Sequence, residues 1–129
     1  MMSKTIIHTD KAPAAVGPYS QAVVAPAGKL VFLSGQIGLD PATGEMVTGS
    51  FEAEVEQAFS NMHRVIEAAS GQASSIVKLT LYLTDLNRFS QVNDIMARVI
   101  PQPFPARSTV GVASLPKAAT FEVEAIIVV

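Results

Sequence analysis

The stretch 51–69, FEAEVEQAFSNMHRVIEAA, leaves the chain little choice of local structure. Phe51, Val55, Ala58, Phe59, Met62, Val65, Ile66 and Ala69 recur at three- and four-residue spacing, which gathers them into one stripe of an amphipathic helix. Ser50 precedes it as an N-cap, Glu52, Glu54 and Glu56 lie in the first turns where the helix dipole favours acid, and Gly71 stops it. A helix with one apolar stripe needs a layer to cover. Strands supply it: 29–34, 75–84 and 120–128 are strong, and 4–8, 20–25, 45–48 and 107–112 weaker. A second helix over about 86–99 puts Leu86, Phe89, Val92, Met96 and Val99 on one side, with Asn93 at the edge of the stripe, and ends before Pro101. The order predicts one α+β domain over 1–129, with two helices packed on one face of a mixed sheet.

The other face of that sheet carries its own message. In 75–84 the alternation sets Val77, Leu79, Leu81 and Leu83 against Ile76, Lys78, Thr80 and Tyr82. In 120–128 it sets Phe121, Val123, Ala125 and Ile127 against Glu122, Glu124, Ile126 and Val128. The second set in each strand is too apolar for water, and no further element remains to cover it. Homo-oligomerisation through sheet faces is the expected remedy. The composition agrees, because 49% hydrophobic residues and a mean hydropathy of +0.35 are high for 129 residues.

Several function classes are excluded by what the chain lacks. It has no cysteine, so disulfides, thiolate metal sites and cysteine nucleophiles are absent. Nine basic and eleven acidic residues, net charge −2, are scattered without a Lys/Arg run, so no polyanion stripe is encoded. No apolar run approaches the roughly 18 residues of a membrane span, and the N-terminal MMSKTIIHTDKAP has no secretory apolar core. A cytoplasmic protein is expected. His8 and His63 have no partners at metal-ligand spacing, and no GxSxG, GxGxxG or GxxxxGK[ST] occurs, so metal, triad and phosphate-loop readings fall away.

The residues that remain for chemistry are few. Arg107, behind Pro103 and Pro105 in PFPARS, opens a strand expected to neighbour 120–128. Its fork matches a carboxylate bidentately; an internal salt bridge to Glu122 or Glu124, or a snorkelling surface position, is the plainer alternative. Glu122 stands among apolar residues on the face expected to meet another subunit, where partial loss of water suits a carboxylate to proton transfer. Tyr19 follows a Gly-Pro turn in GPYSQA and either enters a pocket or caps a core edge. In SGQIGLDPATGE, Gly35 and Gly38 read as a strand end allowing close backbone approach, followed by a turn over 40–44.

Taken together, GPYSQA, FLSGQIGLDPATGE, LNRFSQVN, FPARS and LPKAATFEVEAI resemble, in order and approximate spacing, the reactive intermediate deaminase family in its RidA branch. The resemblance covers nearly the whole chain. It implies a chorismate-mutase-like α+β fold with a sheet of about six strands, assembled as a homotrimeric barrel with helices outside and active sites between subunits. It implies hydrolysis of 2-iminobutanoate, 2-iminopropanoate and 2-aminoacrylate to 2-keto acids and ammonia, without cofactor or metal. Carried over by position, Arg107 binds the substrate carboxylate and Glu122 directs water. Tyr19, Asn93, Ser34, Gly35 and Thr109 complete the substrate contacts, Thr109 through its backbone. Thr109 stands where relatives often have cysteine, and 95–102, IMARVIPQ, lacks aromatics that many relatives carry. Rival activities described among such relatives are ribonuclease or translation inhibitor and holdase chaperone; a non-catalytic small-acid sensor is a third. Neither stacking aromatics nor a basic funnel supports nucleic-acid binding here.

Overall fold

The computed structural model describes residues 3–129; Met1 and Met2, part of the stretch read for a secretory core, lie outside the described residues. Six strands and two helices follow the expected order. They are β1 (Thr5–Ile7), β2 (Ala22–Val24), β3 (Leu30–Gln36), α1 (Phe51–Ala68), β4 (Ile76–Leu83), α2 (Phe89–Val99), β5 (Ala106–Gly111) and β6 (Phe121–Val128). The strands divide into two sheets, an antiparallel β1–β2 pair and a mixed four-stranded sheet in the order β3-β6-β4-β5. The segment 45–48 is not a strand; only a single bridge joins Met46 to Leu39.

The α1 stripe closes over the sheet largely as its spacing requires. Val55, Ala58, Phe59, Met62 and Ile66 are buried against Leu33, Leu79, Phe121, Val123 and Ile127, and the Phe59 and Phe121 rings sit 5.5 Å apart. Each such side chain except the small Ala58 contributes about 1.5–3 kcal/mol when fully withdrawn from water. Ser50 caps the helix, its Oγ accepting from Ala53 N at 3.0 Å. Three details depart from expectation. Val65 lies at the margin of the stripe and stays 38% exposed. The residue that turns left-handed after α1 is Ser70, φ 66°, not Gly71. Glu54 is no solvent-facing dipole partner: it is 9% exposed and accepts from Thr120 N at 2.7 Å, Thr120 Oγ1 at 2.6 Å and Phe121 N at 3.3 Å.

Bulges decide which side chains face the core. Ile76 pairs with Ile127 and Lys78 with Ile126, so the register slips at Val77. Ile76 therefore turns to the core and is fully buried, while Val77 is half-buried, reversing the face expected for both. A second slip falls in β3 between Leu33, opposite Ala125, and Gln36, opposite Val123. Ser34 and Gly35 thus share the space across from Glu124.

Helix α2 links β4 to β5, which run parallel, with Leu79 opposite Arg107 and Leu81 opposite Thr109. Parallel neighbours need such a crossover. It follows that β5 is an edge strand beyond β4 and does not adjoin β6, contrary to the expectation for Arg107. Both helices cover one face of the sheet. The other face is uncovered, with Phe32 70% and Leu30 57% exposed.

Candidate active site

Arg107 is held by two separate segments, the turn that carries Tyr19 and helix α2. The turn at Gly17-Pro18-Tyr19 is tied to the segment before β5, because Ser20 N donates to Pro105 O at 2.9 Å and Ser20 Oγ to Phe104 O at 2.6 Å. That tie brings the Tyr19 ring under the guanidinium, 4.8 Å from Cζ to the ring centre. From α2, Asn93 Oδ1 accepts from Arg107 Nη1 at 2.6 Å, and Met96 Sδ lies 3.5 Å from the same nitrogen. Phe89, at the start of α2, places its ring centre 5.2 Å from Cζ. Burial lowers the guanidinium pKa from its usual value, while the neighbouring Tyr19 raises it.

No carboxylate pairs with Arg107 among the described residues. The internal salt bridge to Glu122 or Glu124 is thereby ruled out within one chain. Asn93 takes Nη1, so Nη2 and Nε are left to bind an acid in the bidentate manner. A Cβ at Gly17 would stand 3.4 Å from Nη2, so the glycine keeps that approach open.

Glu122 lies elsewhere. It pairs with Tyr82 across β4 and β6 and shares the uncovered face, whereas Arg107 pairs with the core residue Leu79 and lies on the helix-covered face. Its carboxyl group rests over Gly35: a Cβ built there would overlap Glu122 Oε2 and stand 2.7 Å from the carboxyl carbon. Only glycine fits. The β3 bulge at Ser34 and Gly35 thus makes the seat for the Glu122 side chain, which accepts no hydrogen bond among the described residues. Beside it, Tyr82 Oη donates to Glu124 Oε1 at 3.0 Å. The Tyr82 pKa is raised, by loss of water first and then by this bond and the charges of Glu124 and Glu122.

The sequence-derived residues therefore form two groups. Arg107, Tyr19 and Asn93 converge at the β5 edge; Glu122, Ser34 and Gly35 converge at the β3–β6 pair, and β4 stands between them. Thr109, two residues after Arg107, belongs to the first face, and its buried Oγ1 has no hydrogen-bond partner. Of the histidines, His8 Nε2 meets exposed Asp10 at 3.0 Å and His63 Nδ1 meets Phe59 O at 2.7 Å. Among the described residues no three His, Cys, Asp or Glu cluster to hold a metal. Phe89 and Met96, read from periodicity as core, are also arginine contacts. Their spacing with Asn93 on one helical face was the available signal.

Comparison with known proteins finds likeness over nearly the whole chain. Residues 9–129 match the family model described as Endoribonuclease L-PSP. The chain is 50% identical over 129 residues to a 2-iminobutanoate/2-iminopropanoate deaminase of Dermatophagoides farinae, covering 100% of this chain and 99% of the relative. It is 49% identical over 125 residues to the chloroplastic Reactive Intermediate Deaminase A of Arabidopsis thaliana, covering 97% of this chain and 66% of the relative. The crystal structure of RidA from an Antarctic Psychrobacter superimposes with a TM-score of 0.76 at 44% identity, covering 97% of this chain and 99% of the other. The chain belongs to the endoribonuclease L-PSP family, in which the RidA proteins fall.

Proposed function

We propose that this member of the endoribonuclease L-PSP family is a deaminase of short 2-imino acids, and that its sites form between copies of the chain in a homotrimer. The 2-iminobutanoate/2-iminopropanoate deaminase name of a relative matching the full chain supports the substrate class. The observation that carries the reading is the half-buried Arg107 with two donor positions free and no carboxylate of its own. An acid of small size, with its carboxylate in plane with Nη2 and Nε, meets that need.

The chemistry follows from the two groups of residues. Arg107 grips the substrate carboxylate, with Tyr19 and Asn93 fixing the guanidinium and the Thr109 backbone lying alongside. That orients C2. Glu122, seated over Gly35, takes a proton from water as the oxygen bonds to C2, and the C=N electrons move to nitrogen. The carboxylic acid then passes the proton to nitrogen, the regenerated carboxylate takes the hydroxyl proton as the carbinolamine C–N bond breaks and C=O forms, and the 2-keto acid leaves with ammonia, which carries off that last proton as ammonium. A protonated imine is electrophilic enough that water and a carboxylate suffice.

A single chain cannot perform both parts on one substrate, since Arg107 and Glu122 lie on opposite faces of its sheet. A second copy docked on the uncovered face, burying Phe32 and Ile126, brings the Glu122 of one chain to the Arg107 of another. Three copies close such contacts into a ring without free faces. No helix among the described residues is long and apolar enough to cross a membrane, and a reducing compartment such as the cytoplasm suits a chain without cysteine. An RNA-cleaving reading has less support: the net charge is −2 and Tyr19, a candidate stacking platform, already faces Arg107.

The test is 2-ketobutyrate formation from the imine released by a PLP-dependent threonine dehydratase, with semicarbazide trapping free imine. Wild type should accelerate keto acid formation, and Arg107→Ala should lose roughly a hundredfold or more in kcat/KM. Equal rates for correctly assembled protein would overturn the reading. A holdase would survive the substitution, and a sensor would bind keto acid without turnover.

A further inference from the structure

Phe89, Asn93 and Met96 occupy positions i, i+4 and i+7 of α2, and all three meet one guanidinium. Such a stripe ordinarily seats apolar side chains of the core. Here Asn93 takes an edge donor by hydrogen bond, Met96 offers a sulfur below it, and the Phe89 ring covers the Cζ region. Tyr19 contributes a second ring from a different segment. We infer that Phe89 is a positioning residue for the proposed reaction: its ring holds Arg107 so that Nη2 and Nε, not a face of the guanidinium, meet the substrate carboxylate. This inference rests on the deaminase reading above.

The local structure supports that role. Asp85 Oδ1 accepts from Asn87 N at 3.0 Å and Arg88 N donates to Asp85 O at 3.1 Å, which fixes the turn Leu86–Arg88 immediately before Phe89. Phe89 therefore opens α2 directly after that fixed turn, half-buried rather than sunk in the core. A long arginine side chain has many rotamers, and binding loses affinity when they must be sorted out at the moment of contact. The ring removes that cost in advance. It acts on ground state and transition state alike, since the carboxylate is unchanged by the chemistry at C2.

The consequence is a specific kinetic pattern. Phe89→Leu, which keeps apolar bulk but removes the ring, should raise KM and the dissociation constant for 2-ketobutyrate by about tenfold with kcat nearly unchanged. Phe89→Tyr, which keeps the ring, should restore both. Phe89→Met serves if the leucine variant does not fold. Unchanged KM and affinity in a folded ringless variant, or equal damage from leucine and tyrosine, would overturn the assignment. Arg107→Ala measured alongside separates the two claims. If it is inactive while Phe89→Leu matches wild type, only the positioning role fails; if it is as active as wild type, the deaminase reading fails.

Discussion

The arginine cluster and the glutamate corner are built in opposite ways. Arg107 has its partners in place within one chain: two rings, an amide oxygen and a thioether. Glu122 has a seat but no hydrogen-bond partner, on a face that one chain leaves uncovered. The contrast fits two chemical duties. A cation that holds a substrate works best when its geometry is fixed before binding, whereas a group that takes and returns a proton needs its lone pairs free. Glu54 sharpens the point. It sits beside the start of the same strand, accepts three hydrogen bonds from Thr120 and Phe121, and so holds β6 in place without being available for chemistry.

If that division is right, substitutions on the two sides should separate kinetically. Glu122→Gln keeps shape and removes the base, so kcat should fall by roughly 10²–10⁴ while KM stays near wild type. A raised KM with intact kcat would make Glu122 a binding group and erase the contrast. Gly35→Ala should do less. Its Cβ would displace the Glu122 carboxyl group, lowering kcat by roughly ten- to a hundredfold through misplacement while 2-ketobutyrate affinity, an Arg107 property, is retained. Calorimetric titration with 2-ketobutyrate beside initial rates checks both parts; lost affinity with normal kcat would contradict the assignment of Gly35 to the glutamate side.

Much of this was legible in the chain because it is local. The α1 period, the Ser50 cap and the alternation in β6 each rest on neighbouring residues, and each appears in the structure where expected. Strand order is not local. The reading that placed 107–112 beside 120–128 followed sequence proximity, but the α2 crossover makes β5 a parallel neighbour of β4, which leaves β4 between Arg107 and Glu122. The bulges at Val77 and at Ser34–Gly35 were hidden for a similar reason. A one-residue slip in pairing leaves no mark on composition, yet it turned Ile76 inward and made the Glu122 seat. Phe89 was misread in part because an aromatic on an apolar helical stripe has the same pattern whether it packs on leucine or on arginine.

The central claim is that one chain supplies the arginine and another the glutamate. It is tested by co-expressing Arg107→Ala with Glu122→Gln and measuring imine hydrolysis by the mixed assembly. Each variant alone should be nearly inactive. Where a Glu122→Gln chain lends its arginine to an Arg107→Ala chain with its glutamate, an intact site re-forms. Random placement around a closed ring makes that about one interface in four, so about a quarter of wild-type activity should return. Activity no greater than that of the better single variant, in assemblies shown to contain both chains, would mean that the two residues serve the same substrate from within one chain.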